Sequence, residues 1–313
     1  MADPRRLREA LGRVLAPWLR AVPGLVDLPG PVVVGCSGGP DSVALLALVA
    51  AVRDDVTAVH VDHGLRAGGD EEAAFVAVVA DRVGARADRR VATVLPGPNL
   101  EARAREARHG ALEAARLECG ARTVLLGHTA DDQAETVLLN LLRGSGPAGL
   151  GAMAERRGTI VRPLLVLRRS DTEAVCAAVA VEPLHDPSND DRTLRRNWIR
   201  HEVLPALSAG AERDLVPVLA RQAEILRRES DYLDGLAAAA WPPAADRPEV
   251  SRLVGLALPL ARRAVRLWIG PPPPSAAEVE RVLAVARGEV RATELTGGRR
   301  VVRRSGVLDL SGG

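Results

Sequence analysis

Hydrophobic positions along the 313-residue chain switch between two patterns. Val32-Val33-Val34, held between Pro31 and Gly35, is a short unbroken apolar run, the mark of a strand covered on both faces, and Val43 to Val49 continues it as a packed helix. Residues 56–61 and 123–126 repeat the strand pattern, residues 90–94 are a weaker version, and residues 160–165 form the last strand. Helical spacing covers residues 71–83 and 99–118, and an amphipathic helix over residues 5–19 precedes the first strand. Strands alternating with helices of this length predict an α/β fold: a parallel sheet with helices on both faces. Beyond residue 210 the pattern changes. Helices are expected over residues 212–240 and 251–269, then a stiff Pro271–Pro274 connector, a capping box at Ser275–Glu278, and a three-stranded meander ending near Leu310. The expected division is a nucleotide-binding domain over residues 1–210 and a smaller, mainly helical domain over residues 211–313 that ends in the β meander.

In a parallel sheet of this kind, ligands sit beyond the carboxyl ends of the strands. The loops after Val34, Val61 and Leu126 are therefore expected neighbours. The first reads Ser37-Gly38-Gly39-Pro40-Asp41-Ser42. Its glycines allow positive φ and a close backbone approach, and the helix start behind it offers unpaired N–H groups, so it forms an anion cradle. It has neither the Gly-Lys-Ser/Thr ending of a Walker A loop nor the spacing of a dinucleotide fingerprint. A lone Ser-Gly-Gly would read as a capped tight turn; all six residues on a strand-turn-helix favour phosphate binding. The second loop brings Asp62 and His63, and the third brings His128, Asp131, Asp132 and Glu135.

Ala134, Val137, Leu138, Leu141 and Leu142 share one face of the helix that follows the third loop, leaving Asp131, Asp132 and Glu135 around an exposed first turn. One acid there would only complement the helix dipole. Three acids and a histidine facing a phosphate loop suit Mg²⁺, with Asp41 and Asp132 as ligands, or an ammonium group; a metal-hydrolase cluster is the weaker reading. On the preceding helix, Glu101, Arg105 and Arg108 line one side, either as a solvated ladder or as arginines at a pyrophosphate. Farther on, Arg192, Arg196 and Arg200 form a stripe with Arg195 beside it, while Leu194 and Trp198 pack inward. That cluster is either a solvated face or a contact to a phosphate backbone.

Composition narrows the chemistry. Every one of the 42 basic side chains is arginine, so lysyl Schiff bases and lysyl adenylates are excluded and any amine nucleophile must be a substrate. A net charge of +2 implies nucleic acid only through local clusters. Four Trp, one Tyr and one Phe are too few for the aromatic sheet platform of an RNA-recognition motif. Cys36, Cys119 and Cys176 are far apart and lack a C-x-x-C pattern, so they read as buried thiols. No apolar run reaches the roughly 20 residues of a membrane span and the N-terminus leads into a charged helix, so a cytoplasmic protein without membrane contact is expected.

The Ser37–Ser42 loop resembles the SGGxDS signature of PP-loop ATP pyrophosphatases, which split ATP between the α and β phosphates. With Asp62-His63-Gly64-Leu65-Arg66, Asn99-Leu100-Glu101, Ala104 to Arg108, Gly127 to Thr136, Arg162-Pro163-Leu164-Leu165, Asp186 to Asn189 and Arg196-Asn197-x-Ile199-Arg200, residues 30–205 resemble the tRNA(Ile)-lysidine synthetases. His109 departs from the family, which carries an aromatic residue there, and the chain is too short for the extra C-terminal domain of long members. The resemblance implies ATP-dependent adenylation of the wobble cytidine C2 oxygen in tRNA(Ile) with a CAU anticodon, then attack by free lysine with loss of AMP. It implies that Ser37, Gly38, Gly39, Pro40, Asp41 and Ser42 bind ATP, with Asp62, His63 and His128 nearby. Arg105 and Arg108 would contact phosphate and activated cytidine. Asp131, Asp132 and Glu135 would hold the lysine amine and take its proton, and Arg192, Arg195, Arg196 and Arg200 would contact RNA; a homodimer is compatible with this reading. Two alternatives stand beside it: another PP-loop enzyme, for tRNA thiolation or small-molecule amidation, and a non-catalytic nucleotide-binding RNA module.

Overall fold

The computed structural model describes residues 3–62, 64, 68–94, 100–242 and 248–312, without the side chains of residues 100–102. His63, Leu65, Arg66, Asn99 and the side chain of Glu101 therefore lie outside the described residues. The chain forms two compact units, Met1–Glu224 and Ile225–Gly313.

In the first unit, the N-terminal helix expected over residues 5–19 is two pieces, α1 (Pro4–Val14) and α2 (Ala16–Leu19), because Pro17 lacks the N–H needed to continue the ladder. Then follow β1 (Val32–Gly35), α3 (Pro40–Ala50), β2 (Val56–Asp62), α4 (Gly69–Val83), β3 (Arg86–Val91), α5 (Leu100–Glu118), β4 (Thr123–Leu126) and α6 (Ala130–Leu142). The third strand lies earlier than the expected 90–94. Its sequence Arg-Ala-Asp-Arg-Arg-Val is polar because it is an edge strand, exposed at Arg86, Ala87, Arg89 and Val91. Next come α7 (Pro147–Leu150), the two-residue strands β5 (Arg156–Arg157) and β6 (Ile160–Val161), α8 (Arg169–Ala178), α9 (Arg195–Trp198) and α10 (Leu204–Gly210). The last strand is shorter than expected, since Pro163 turns the chain into a 3-10 segment.

The sheet order is β3-β2-β1-β4-β6-β5, parallel apart from β5. The chain moves outward from β1 to β2 and β3, then crosses back to place β4 on the other side of β1. The topological switch point therefore lies between β1 and β4. Alternation along β1 divides the core. Val32 and Val34 face a cluster built from α1, α3, α4 and α8, while Val33 packs with Leu112 and Ala115 of α5 on the opposite face. Both faces are thus covered by helices, and α3 is apolar all round because it is buried all round.

The second unit holds most of α11 (Val216–Ala240), with α12 (Val250–Val254), α13 (Leu258–Ile269), α14 (Ala276–Arg287) and the antiparallel meander β7 (Ala292–Leu295), β8 (Arg299–Arg304), β9 (Val307–Ser311). Its core includes Trp241 edge-on to Trp268 at 5.5 Å. Ser275 and Glu278 form the expected capping box: the Ser275 N–H donates to Glu278 Oε2 at 2.7 Å and the Glu278 N–H to Ser275 Oγ at 3.2 Å. At the start of α8, which begins at Arg169, the Asp171 carboxylate accepts from the Arg168 N–H at 2.8 Å. No described helix is long and apolar enough to cross a membrane.

Candidate active site

The glycine turn between β1 and α3 is held from three sides. Ser42 Oγ accepts from the Ser37 N–H at 3.1 Å and donates to Gly39 O at 2.9 Å. Gly38 sits at φ 85°, and its carbonyl accepts from the Leu184 N–H at 2.9 Å. The positive φ favours glycine, and a Cβ there would also come within 2.6 Å of Leu184 Cδ1 and push that side chain aside. Gly127, at the end of β4, lies against the first turn of α3: a Cβ there would meet Asp41 O at 2.5 Å. The loops after β1 and β4 thus touch backbone to backbone at the switch point, with Ser37 exposed above them.

Asp41, in the first turn of α3, is largely buried. Thr172 Oγ1 of α8 donates to its Oδ1 at 2.5 Å, and Arg169 Nε stands 3.8 Å from its Oδ2. Burial pushes this carboxyl up to about 6, with the Asp132 charge adding to the rise and Thr172, Arg169 and Arg200 opposing it.

Around this turn two charged compartments meet. One is basic. Arg105 and Arg108 of α5, His109, His128 and Arg162 lie together, and no carboxylate is among the main influences on Arg108, His109, His128 or Arg162. Burial and then the charges of Arg105 and Arg196 hold Arg108 below its usual value. Burial and four arginines, led by Arg162, hold His128 well below its own. His109 is pushed down to about 4 and Arg162 to about 10, again by burial first and arginines second. Arg108 Nε, His109 Nε2, His128 Nδ1 and Arg162 Nε are buried without a hydrogen-bond partner among the described residues. Two buried guanidiniums and two neutral imidazoles with unpartnered nitrogens suit an anion that brings its own oxygens.

The other compartment is a lattice of acids and arginines. Asp132 and Glu135, expected in an exposed first turn, are buried at 7% and 1% relative exposure; Leu141 and Leu142 of the expected apolar face are exposed instead. Arginines brought in from α8, α9 and the π-type turn Ile199–Val203 make that burial tolerable. Arg196 Nε and Arg200 Nε each donate to Glu135 at 2.7 Å, and Arg196 Nη2 reaches Asp132 at 3.1 Å. Asp132 also caps α6, accepting from the Thr129 N–H at 2.9 Å. Asp131 accepts a bidentate pair from Arg168 (3.0 and 3.1 Å) and the Arg169 N–H at 2.8 Å. Burial works against the charge on Asp131, but these bonds outweigh it and its pKa is lowered. The Arg169 guanidinium, by contrast with its N–H, makes only long contacts to these acids, 3.3 Å to Asp132 and 3.5 Å to Glu135.

The expected residues therefore separate. The Ser37–Ser42 turn, Arg105, Arg108, His128, Asp131, Asp132 and Glu135 gather around the switch point. Asp62 is committed to its own turn, accepting from the Gly64 N–H at 2.8 Å and from Arg89 at 3.0 Å, which lowers its pKa. The expected arginine stripe is broken. Arg196 and Arg200 turn inward to the acids, Arg195 is exposed, and Arg192 precedes the helix and pairs with Glu202 at 3.5 Å. No group of three His, Cys, Asp or Glu among the described residues could hold a metal, so the metal-hydrolase cluster does not form there. Sequence reasoning missed Arg168, Arg169 and Thr172. The signal was a charge imbalance, three acids in one turn with no basic partner nearby in sequence.

The PP-loop domain family matches residues 25–207, the part that builds this sheet and its glycine turn. The fold is also that of the U34-tRNA thiolase NcsA of Methanococcus maripaludis (TM-score 0.56, 16% identity, 69% of this chain and 79% of that one). Sequence relatives are closer. The tRNA(Ile)-lysidine synthase of Salinispora arenicola is 39% identical over 325 residues, 96% of this chain and 97% of that protein. That of Mycolicibacterium paratuberculosis is 43% identical over 239 residues, 75% of this chain and 73% of that protein. The chain belongs to the tRNA(Ile)-lysidine synthase family of PP-loop proteins.

Proposed function

We propose that this chain ligates free lysine to C2 of the wobble cytidine of tRNA(Ile) bearing a CAU anticodon, at the expense of ATP. One observation carries the reading: a glycine turn at the switch point stands between an arginine-rich wall, in which Arg108 Nε, His128 Nδ1 and Arg162 Nε are buried without a partner among the described residues, and a buried acid lattice. A triphosphate and an amine need those two surroundings, in that order.

The adenylation step makes a bond from the cytidine O2 to the α-phosphorus and releases pyrophosphate. The main-chain N–H groups of Gly38, Gly39 and Asp41 would bind the triphosphate, since those of Ser37 and Ser42 are spent within the turn and Pro40 has none, while Arg105, Arg108 and His128 line the side where negative charge grows on the leaving group. Neutral His128, with its proton on the unpartnered Nδ1, would donate a hydrogen bond to an oxygen without adding a charge. Mg²⁺, when bound, would neutralise phosphate charge. Asp41 suits it through Oδ2, whereas Asp132 does not, because its Oδ2 caps α6 and its Oδ1 is held by arginines.

In the ligation step the lysine amine attacks C2, the C2–O bond breaks and AMP departs with the bonding electrons. The amine arrives as ammonium, and the acid lattice is its anionic host. Arg169 is the guanidinium whose contacts to Asp132, Glu135 and Asp41 are all longer than 3.2 Å, so it is the one an ammonium would displace. Once seated, the ammonium gives up its proton to a carboxylate of this group. Residues 1–210 would carry this chemistry, residues 211–313 would help to hold the tRNA, and the reaction would run in the cytoplasm.

The test is direct. Protein, ATP, labelled lysine and tRNA(Ile) with a CAU anticodon should place label in RNA with one AMP and one pyrophosphate released. No label in RNA, or label that accumulates without ATP, refutes the reading.

A further inference from the structure

The segment around α9 has two faces. Arg196 and Arg200 point to Glu135, and buried Asn197 donates its Nδ2 to Ser188 O at 2.8 Å and Asp191 O at 2.9 Å, which ties down the preceding turn. The opposite face carries Leu194, Arg195, Trp198 and His201. Sequence spacing sends Leu194 and Trp198 inward, yet they are 47% and 39% exposed, with Arg195 and His201 exposed beside them. Trp241 and Trp268 are core residues and Trp18 packs against the N-terminal core. Trp198 is the tryptophan left in water.

A single exposed apolar side chain needs no explanation. This one differs in being fixed on a tied-down element and flanked by an arginine and a histidine. A rigid indole with a guanidinium one helical turn before it and an imidazole one turn after, itself held 3.2 Å from Asn189 O, offers a stacking surface and a phosphate contact together, as single-stranded RNA requires. The exposed Arg195 guanidinium favours a polyanion over an apolar protein partner. An α-helix with its side chains is about 10 Å across, so the surface lies within a nucleotide or two of the acid lattice.

We infer that Trp198, with Arg195 and His201 beside it, stacks an unpaired nucleotide flanking the reacting cytidine in the RNA. The inference rests on the proposed function for its RNA partner. It adds a contact in a position the family motif leaves open, the x of Arg196-Asn197-x-Ile199-Arg200.

The test uses the full chain and a synthetic CAU anticodon stem-loop, titrated at several salt concentrations. Trp198→Ala should weaken binding by about 5- to 100-fold, the range of one lost stacking contact, with the salt slope unchanged. Trp198→Phe should recover most of the loss. Arg195→Ala should lower the salt slope by about one. RNA affinity of Trp198→Ala within twofold of wild type overturns the inference, as does an equal loss in Trp198→Phe. A change in self-association without a change in RNA affinity overturns it too, by assigning the face to a protein contact. Failure of the wild-type chain to incorporate lysine would sink the proposed function and leave this binding result standing.

Discussion

Asp41 should destabilise the protein in which it acts. Its carboxyl is largely buried and burial pushes its pKa from 3.8 up to about 6, despite the Thr172 hydrogen bond and the Arg169 and Arg200 charges. At about 1.4 kcal/mol per pKa unit, the ionised form is disfavoured in the folded state by about 3 kcal/mol. Between those two values the folded chain binds more protons than the unfolded one. The contribution of Asp41 is therefore most favourable below pH 3.8 and is lost as pH rises through about 6. Asp41→Asn removes the charge, keeps an oxygen that can accept from Thr172, and should abolish lysine incorporation. Above pH 7 it should also be the more stable protein by about 3 kcal/mol, which for a unit of this size is roughly 6–12 °C in Tm. Near pH 4 the two should melt together. Calorimetry of both proteins from pH 4 to pH 8 measures the difference and cancels the other titrating groups. Parallel curves across that range, or an Asn variant less stable at pH 8, would refute the burial argument.

Three further outcomes are expected. Glu135→Ala should lower stability by about 3 kcal/mol in urea denaturation, at the low end for a broken buried pair because Arg196 and Arg200 keep 29% and 21% exposure; adding Arg196→Ala and Arg200→Ala should return part of that loss. Gly127→Ala forces a methyl to within 2.5 Å of Asp41 O, so it should cost about 1–3 kcal/mol by calorimetry and raise the KM for ATP more than the KM for lysine. Arg169→Ala should lower the KM for lysine several-fold in steady-state assays, since the incoming ammonium no longer has a guanidinium to displace; an unchanged lysine KM counts against exchange at this position.

The scaffold was legible where one local rule decides it. The apolar runs of β1, β2 and β4 and the glycines of the turn fix strand identity, and parallel topology then brings the loops after Val34 and Leu126 together. Legibility failed where partners are distant in sequence. Periodicity put Asp132 and Glu135 on the wet side of α6 because they lie off its apolar stripe. It could not register that Arg169, Arg196 and Arg200, 34 to 65 residues away, would close over them. The same blindness sent Leu194 and Trp198 inward, since the helical face they share is apolar but the core is filled by Ile199 from the other side. Thr172 escaped notice for a similar reason, lying 131 residues from the Asp41 it bonds.

Without lysine, the chain answers buried acids with forked guanidiniums, and a fork can bridge two carboxylates where an ammonium makes a point contact. Arg196 spans Asp132 and Glu135, and Arg169 extends the lattice to Asp41 in the glycine turn. The carboxylate of the glycine turn that would receive the triphosphate and the carboxylates that would receive the amine are thus joined through one long-contact arginine. An ammonium entering between Asp132 and Glu135 would release Arg169, and a guanidinium so released stands beside Asp41, where phosphate oxygens would accept it. Seating lysine would then strengthen the grip on the nucleotide. Lysine binding should tighten ATP binding in the wild-type chain, and that coupling should vanish when Arg169 is replaced by alanine.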